Sequence, residues 1–190
     1  AAITEIWGEK EEATIKERIK SIVSDGGYIG MAQINPMAGN VEYNAKKIAK
    51  YIKYASQIGL DLVVFPELAL MGYPIEDTID RHPIIVEENI KWLKGLAKIT
   101  VGTTALVGFV EPRKQDAEGK KYFNSVAILR DGEITGIVRK SLLPNYSEFN
   151  DYRYIEPSPI VGVQPADTLG HFDKETVRDC SKIFNKYGIS

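Results

Sequence analysis

Apolar positions along this chain change period several times, and each change marks an element. Ile15, Ile19, Ile22 and Val23 fall at helical spacing among Glu and Lys, so residues 1–27 read as an amphipathic helix stopped by Gly26-Gly27. Residues 28–34 form a short apolar strand, closed by Asn35-Pro36 and Ala38-Gly39. Asn40 can cap a helix that carries Val41, Ala45, Ile48, Ile52 and Ala55 on one stripe and stops at Gly59. A second strand covers 60–65. Pro83 opens a second helix with Val86, Ile90, Leu93 and Ala97 aligned, and a third strand covers 105–110. Residues 122–130 and 133–140 pair as a hairpin on Asp131-Gly132, a dipeptide that suits a two-residue turn. From 157 to 170 Pro and Gly become frequent, as in a loop. Asp173 then caps a last helix with Val177, Cys180, Phe184 and Tyr187 on one side.

The order strand-helix-strand-helix-strand-hairpin predicts an α/β fold with helices covering one face of the sheet. Three regions follow: a helical extension (1–27), the α/β region (28–157), and a loop with a terminal helix (158–190). A chain of 190 residues, 44% hydrophobic and 26% charged, has the composition of a soluble globular domain. Its net charge of -2, without a basic cluster, argues against nucleic acid and anionic membranes as partners. No apolar run is long enough to span a bilayer, and no signal peptide precedes Tyr28. A single cysteine allows no intrachain disulfide, which fits the cytoplasm. His82 and His171 stand far apart without Cys partners, so no metal site is expected. Ser24-Asp25-Gly26-Gly27 lacks the Lys and the context of a phosphate loop and reads as a helix stop.

Candidate chemistry centres on Glu67. Five apolar residues in 60–65 lead to it through Pro66, which should carry its carboxylate to a buried strand end. Desolvation there would raise its pKa toward that of a general base. A plain salt bridge at a strand end is the alternative. Lys140 closes another strand, where the pattern by itself favours an ordinary solvated lysine, and Tyr146 after Pro144-Asn145 reads as a half-buried tyrosine.

Four segments together resemble the nitrilase (carbon–nitrogen hydrolase) superfamily, in the form found in the glutaminase domain of glutamine-dependent NAD synthetases. They are Met31–Asn40, Phe65–Leu68 with Gly72–Asp77, the run that starts at Asn124, and Arg139–Tyr146 with Glu148 and Phe149. The resemblance covers 28–157 and implies part of an α-β-β-α sandwich with extra terminal helices. It implies that Glu67 is the general acid/base and Lys140 the oxyanion-stabilising residue. It also implies that Tyr146 and Phe149 contact bound glutamine and that Tyr73 walls the pocket. Hydrolysis of a carboxamide needs such a carboxylate and cation together with a thiolate. The implied partners are glutamine and either a further copy of the chain or a synthetase domain. ATP and magnesium enter only through that domain, and no cofactor belongs to the region itself.

The family's nucleophile follows the lysine on a strand, in an apolar-Cys-Glu-Asp context that this chain lacks. Cys180 is the remaining candidate, yet its setting is that of a helix face, where a cysteine is usually a small core residue. Two classes of expectation stay open: an amidase, either the glutaminase part of a longer synthetase or a free-standing enzyme, and a half-domain that binds without catalysis. Either way, Glu67 should lie near Lys140. A broad apolar sheet face should also need covering by another chain or by the terminal helices.

Overall fold

The computed structural model describes residues 27–75, 78–113, 118–146 and 150–169. The expected helices over 1–27 and around Cys180 lie outside them, as does Phe149. The described chain forms one six-stranded sheet in sequential order, from β1 (Ile29–Met31) through β2 (Leu62–Val64), β3 (Thr104–Pro112), β4 (Tyr122–Arg130) and β5 (Glu133–Arg139) to β6 (Val163–Gln164). The pairs β1–β2 and β2–β3 are parallel, as crossovers through helices require, and the remaining pairs are antiparallel.

Two long helices cover one face. In α1 (Val41–Ile58) the Asn40 side chain accepts from the Tyr43 amide at 3.1 Å, and Gly59 ends the helix at φ +80°. All five stripe residues from Val41 to Ala55 are buried. Two short helices follow in chain order, α2 (Thr78–Arg81) and then, after α3, α4 (Asp151–Tyr154). In α3 (Ile84–Ile99), Val86, Ile90, Leu93 and Ala97 are buried in the same way. They meet Val63, Ala105, Val107, Ala127, Leu129 and Ile137, the residues that point to the helical side of the sheet. Burying each large aliphatic side chain contributes about 1.5–3 kcal/mol.

The differences from the sequence reading are local. Strands β1 and β2 are shorter than the apolar runs, because only three residues of each find a partner in register. The stretch read as a loop from 157 contains β6, which extends the sheet beside β5, and a 3-10 turn at Ala166–Leu169. The hairpin turn is as expected, with Asp131 at φ +50° and Gly132 at φ +85°.

The second face remains open among the described residues. Met31, Val64, Leu106 and Ile128 share one rung across it, and Gly108, Val126, Val138 and Val163 share another. Met31 is 80% exposed, and Ile29, Val138 and Val163 are exposed with it. This is the apolar face that the half-sandwich expectation requires.

Candidate active site

The site is built where the chain leaves the plane of the sheet. Phe65 N–H donates to Leu106 O at 3.0 Å, and Leu70 N–H donates to Gly108 O at 3.0 Å. Leu106 and Gly108 are two residues apart, whereas Phe65 and Leu70 are five apart. Residues 66–69 must therefore loop out, and they do so over Gly108 on the open face. A Cβ on Gly108 would stand 2.4 Å from Leu68 N and 2.7 Å from Pro66 O, so only glycine admits this crossing. Leu68 holds φ at +50°, a left-handed conformation that costs a non-glycine residue about 1–2 kcal/mol. It is fully buried, and its carbonyl accepts from Gly72 N–H at 2.7 Å, which holds the turn in place. Behind the turn, buried Asn44 donates to Met37 O and Leu70 O and accepts from Met37 N–H, which ties both loops to α1.

Glu67 stands at the crest of this excursion. Its Oε1 accepts from Lys140 Nζ at 2.6 Å and from Asn124 Nδ2 at 2.5 Å. Asn124 lies on the open face of β4, and Lys140 N–H donates to Asn124 O at 2.9 Å, so the two are neighbours across the β4–β5 pair. The expected proximity of Glu67 and Lys140 is present. The expected burial is not: the Glu67 side chain is 49% exposed. Strand β2 ends at Val64, and the outward loop lifts the carboxylate from the apolar interior that the run 60–65 suggested.

A second carboxylate, which sequence reasoning missed, flanks the lysine. Asp151, only 3% exposed, places Oδ2 at 3.5 Å from Lys140 Nζ, an ion-pair contact without hydrogen-bond geometry. Its Oδ1 accepts from Tyr73 OH at 3.1 Å. Lys140 is thus held between Glu67 and Asp151, and Tyr73 reaches the site through Asp151. No local pattern marks Asp151, which opens the short helix α4 and meets Lys140 only through tertiary packing. Asn124 carried a faint signal as a polar residue in an apolar strand.

An open cleft of about 640 Å³ lies over these groups. Glu67 and Lys140 line it together with Tyr73, Leu142, Pro144 and Tyr146. Of the expected site residues, Glu67, Lys140, Tyr73 and Tyr146 come together here. Phe149 and Cys180 fall outside the described residues, which contain no cysteine. The arrangement offers a half-exposed carboxylate to exchange protons and an ammonium to stabilise negative charge on a ligand of small-molecule size. Among the described residues no group of three His, Cys, Asp or Glu could hold a metal ion, and no helix is long and apolar enough to cross a membrane.

Residues 28–178 match the family model described as carbon-nitrogen hydrolase. The match ends two residues before Cys180. The chain is 42% identical over 159 residues to a glutamine-dependent NAD(+) synthetase of Thermotoga maritima, covering 83% of this chain and 26% of that protein. It is 36% identical to the enzyme of the same name from Aquifex aeolicus, covering 84% of this chain and 26% of that one. The chain thus spans about a quarter of the length of the curated relatives it matches. Among solved structures, a glutamine-dependent NAD+ synthetase from Acinetobacter baumannii superposes with a TM-score of 0.61 at 28% identity, covering 82% of this chain and 30% of that one. An amidase from Nesterenkonia sp. shares the fold at 19% identity, with a TM-score of 0.60 and coverage of 73% and 51%.

Proposed function

This chain belongs to the carbon–nitrogen hydrolase family, and on that premise we propose that it is the glutamine amidohydrolase part of a glutamine-dependent NAD synthetase. The observation that carries the reading is the Lys140–Glu67 contact at 2.6 Å in the lining of an open cleft. Its likeness to synthetases of that name, at 36–42% identity, supports glutamine as the carboxamide.

In this reading a thiolate attacks the side-chain carbonyl of glutamine. The charge that develops on oxygen is met by the Lys140 ammonium. Glu67 carries the thiol proton to the leaving nitrogen, the C–N bond breaks, and ammonia departs. Water then attacks the thioester and gives its proton to Glu67. The C–S bond breaks to release glutamate, and the proton returns to sulfur. Asn124 and Asp151 act as positioning residues, the first on Glu67 and the second on Lys140. Tyr146 and Tyr73 flank the substrate. The ammonia passes to a synthetase domain that amidates deamido-NAD, with ATP and magnesium bound there and no cofactor in this region. The open apolar face serves the same assembly, as the surface on which further protein packs in a homo-oligomer or with that domain. A single cysteine and a net charge of -2 suit a cytoplasmic enzyme without nucleic-acid or membrane partners.

A second reading, a non-catalytic binding half-domain, draws on Cys180, the one thiol of the chain, whose sequence setting is a helix face. One experiment separates the two. The protein is treated with an electrophilic glutamine analogue and weighed intact while ammonia release from glutamine is assayed. Ammonia release together with a stoichiometric adduct on Cys180, competed by glutamine and abolished by Glu67→Gln, supports the glutaminase. No adduct and no ammonia favours the half-domain. Turnover of short aliphatic amides in preference to glutamine would point to a free-standing amidase.

A further inference from the structure

Directly beneath the site, on the helical face of the sheet, lies an ion pair that the chemistry above does not use. Glu111, 1% exposed, has both carboxylate oxygens engaged by the Arg139 guanidinium, with Nε to Oε2 at 2.8 Å and Nη2 to Oε1. Ser125 Oγ adds a bond to Oε2 at 2.7 Å. The Phe123 ring lies under the guanidinium, with its centroid 4.6 Å from Cζ. The Glu111 partnership also raises the Arg139 pKa against the opposing effect of burial.

These residues alternate along the strands with those of the site. Arg139 immediately precedes Lys140, while Phe123 and Ser125 bracket Asn124. Successive strand residues face opposite sides, so fixing Arg139 and Ser125 below fixes the backbone from which Lys140 and Asn124 rise above. Those two side chains supply both hydrogen bonds that Glu67 Oε1 receives among the described residues. A buried ion pair is also a poor source of stability, since apolar residues of similar volume often serve as well or better. From this juxtaposition we infer that the Glu111–Arg139 pair, braced by Ser125, is a strut that positions Lys140 and Asn124 against Glu67.

The strut fixes side-chain direction more than it holds the sheet together. The bidentate fork allows one arrangement, which a lysine at 139 could not reproduce. Its consequence for turnover rests on the amidase reading. Its consequence for geometry does not.

The test uses the full chain with Glu111→Gln, Arg139→Lys and the apolar double variant Glu111→Met/Arg139→Met. Urea unfolding measures the fold, and NMR follows hydrogen exchange of the Asn124 side-chain amide, which is slowed while it donates to Glu67. The expected result is that every variant that folds exchanges this amide about tenfold faster, the equilibrium equivalent of one hydrogen bond. The double variant should do so at wild-type stability. In the glutamine assay kcat should fall by up to about 10²-fold with KM little changed, as for a displaced catalytic group. Unchanged Asn124 exchange in the folded variants would overturn the inference. So would a double variant that recovers slow exchange together with stability, because the pair would then be filling space only. A wild-type chain without glutaminase activity would count against the functional reading alone, and the amide exchange would still decide the strut.

Discussion

At Gly108 the absence of one methyl group decides where a carboxylate stands. The Pro66–Leu68 crossing occupies the space that a side chain would take. Gly108→Ala should push that crossing off the sheet and cost about 1–3 kcal/mol, the usual penalty of overpacking, read from urea unfolding. It should also break the contact between Glu67 and Lys140, so labelling by the glutamine analogue should fall even in the folded protein. Glu67 itself is the sharper probe. On the proposed glutaminase reading, Glu67→Gln keeps the shape and removes the proton carrier, and kcat/KM for glutamine should drop by about 10²–10⁴-fold, the range for a general acid/base. A smaller loss would move the proton-transfer role to another group, with Asp151 the first to examine.

Elements hold these residues through a few polar bonds that the core encloses. Asn44 on α1 bonds to Met37 and Leu70 from a fully buried position, and thereby joins the helix to the loop behind Glu67. Asn44→Ala should destabilise by about 1–3 kcal/mol, because Met37 and Leu70 lose partners inside the protein. Asn40→Ala at the start of the same helix should cost about 1 kcal/mol for its lost cap. Unfolding midpoints rank the two. Reactivity of the site should respond only to the Asn44 change, which loosens the loop and leaves the helix whole.

Across the whole molecule, the open face and the buried tyrosine set the response to solvent. The apolar face that carries Met31 and Val163 should promote association. Met31→Lys with Val163→Lys should shift sedimentation velocity profiles toward monomer without loss of fold, and unchanged profiles would exclude this face as the contact. Tyr122, buried at the start of β4, has its phenol pKa raised, by desolvation first and by the Asp80 carboxylate second. As pH rises past 10 the unfolded chain releases that proton before the folded one, so the folded state binds more protons and stability falls with pH. Tyr122→Phe should flatten this alkaline limb, measured as thermal midpoints between about pH 8 and 11.

Much of this protein follows from its sequence alone. The apolar stripe from Val41 to Ala55, the Asn40 cap, the Gly59 stop and the Asp131-Gly132 turn are local signals, because backbone conformation and helical period depend on neighbouring residues. They suffice for the order of elements. The resemblance in the Glu67 and Lys140 segments singled out both residues. Tertiary structure decided the rest. Glu67 became half-exposed because β2 ends early and the chain crosses Gly108, an approach between segments forty residues apart that no local pattern encodes. Asp151 joined Lys140, and Glu111 joined Arg139, because register and packing bring distant charges together. Register depends on how all the strands pair at once.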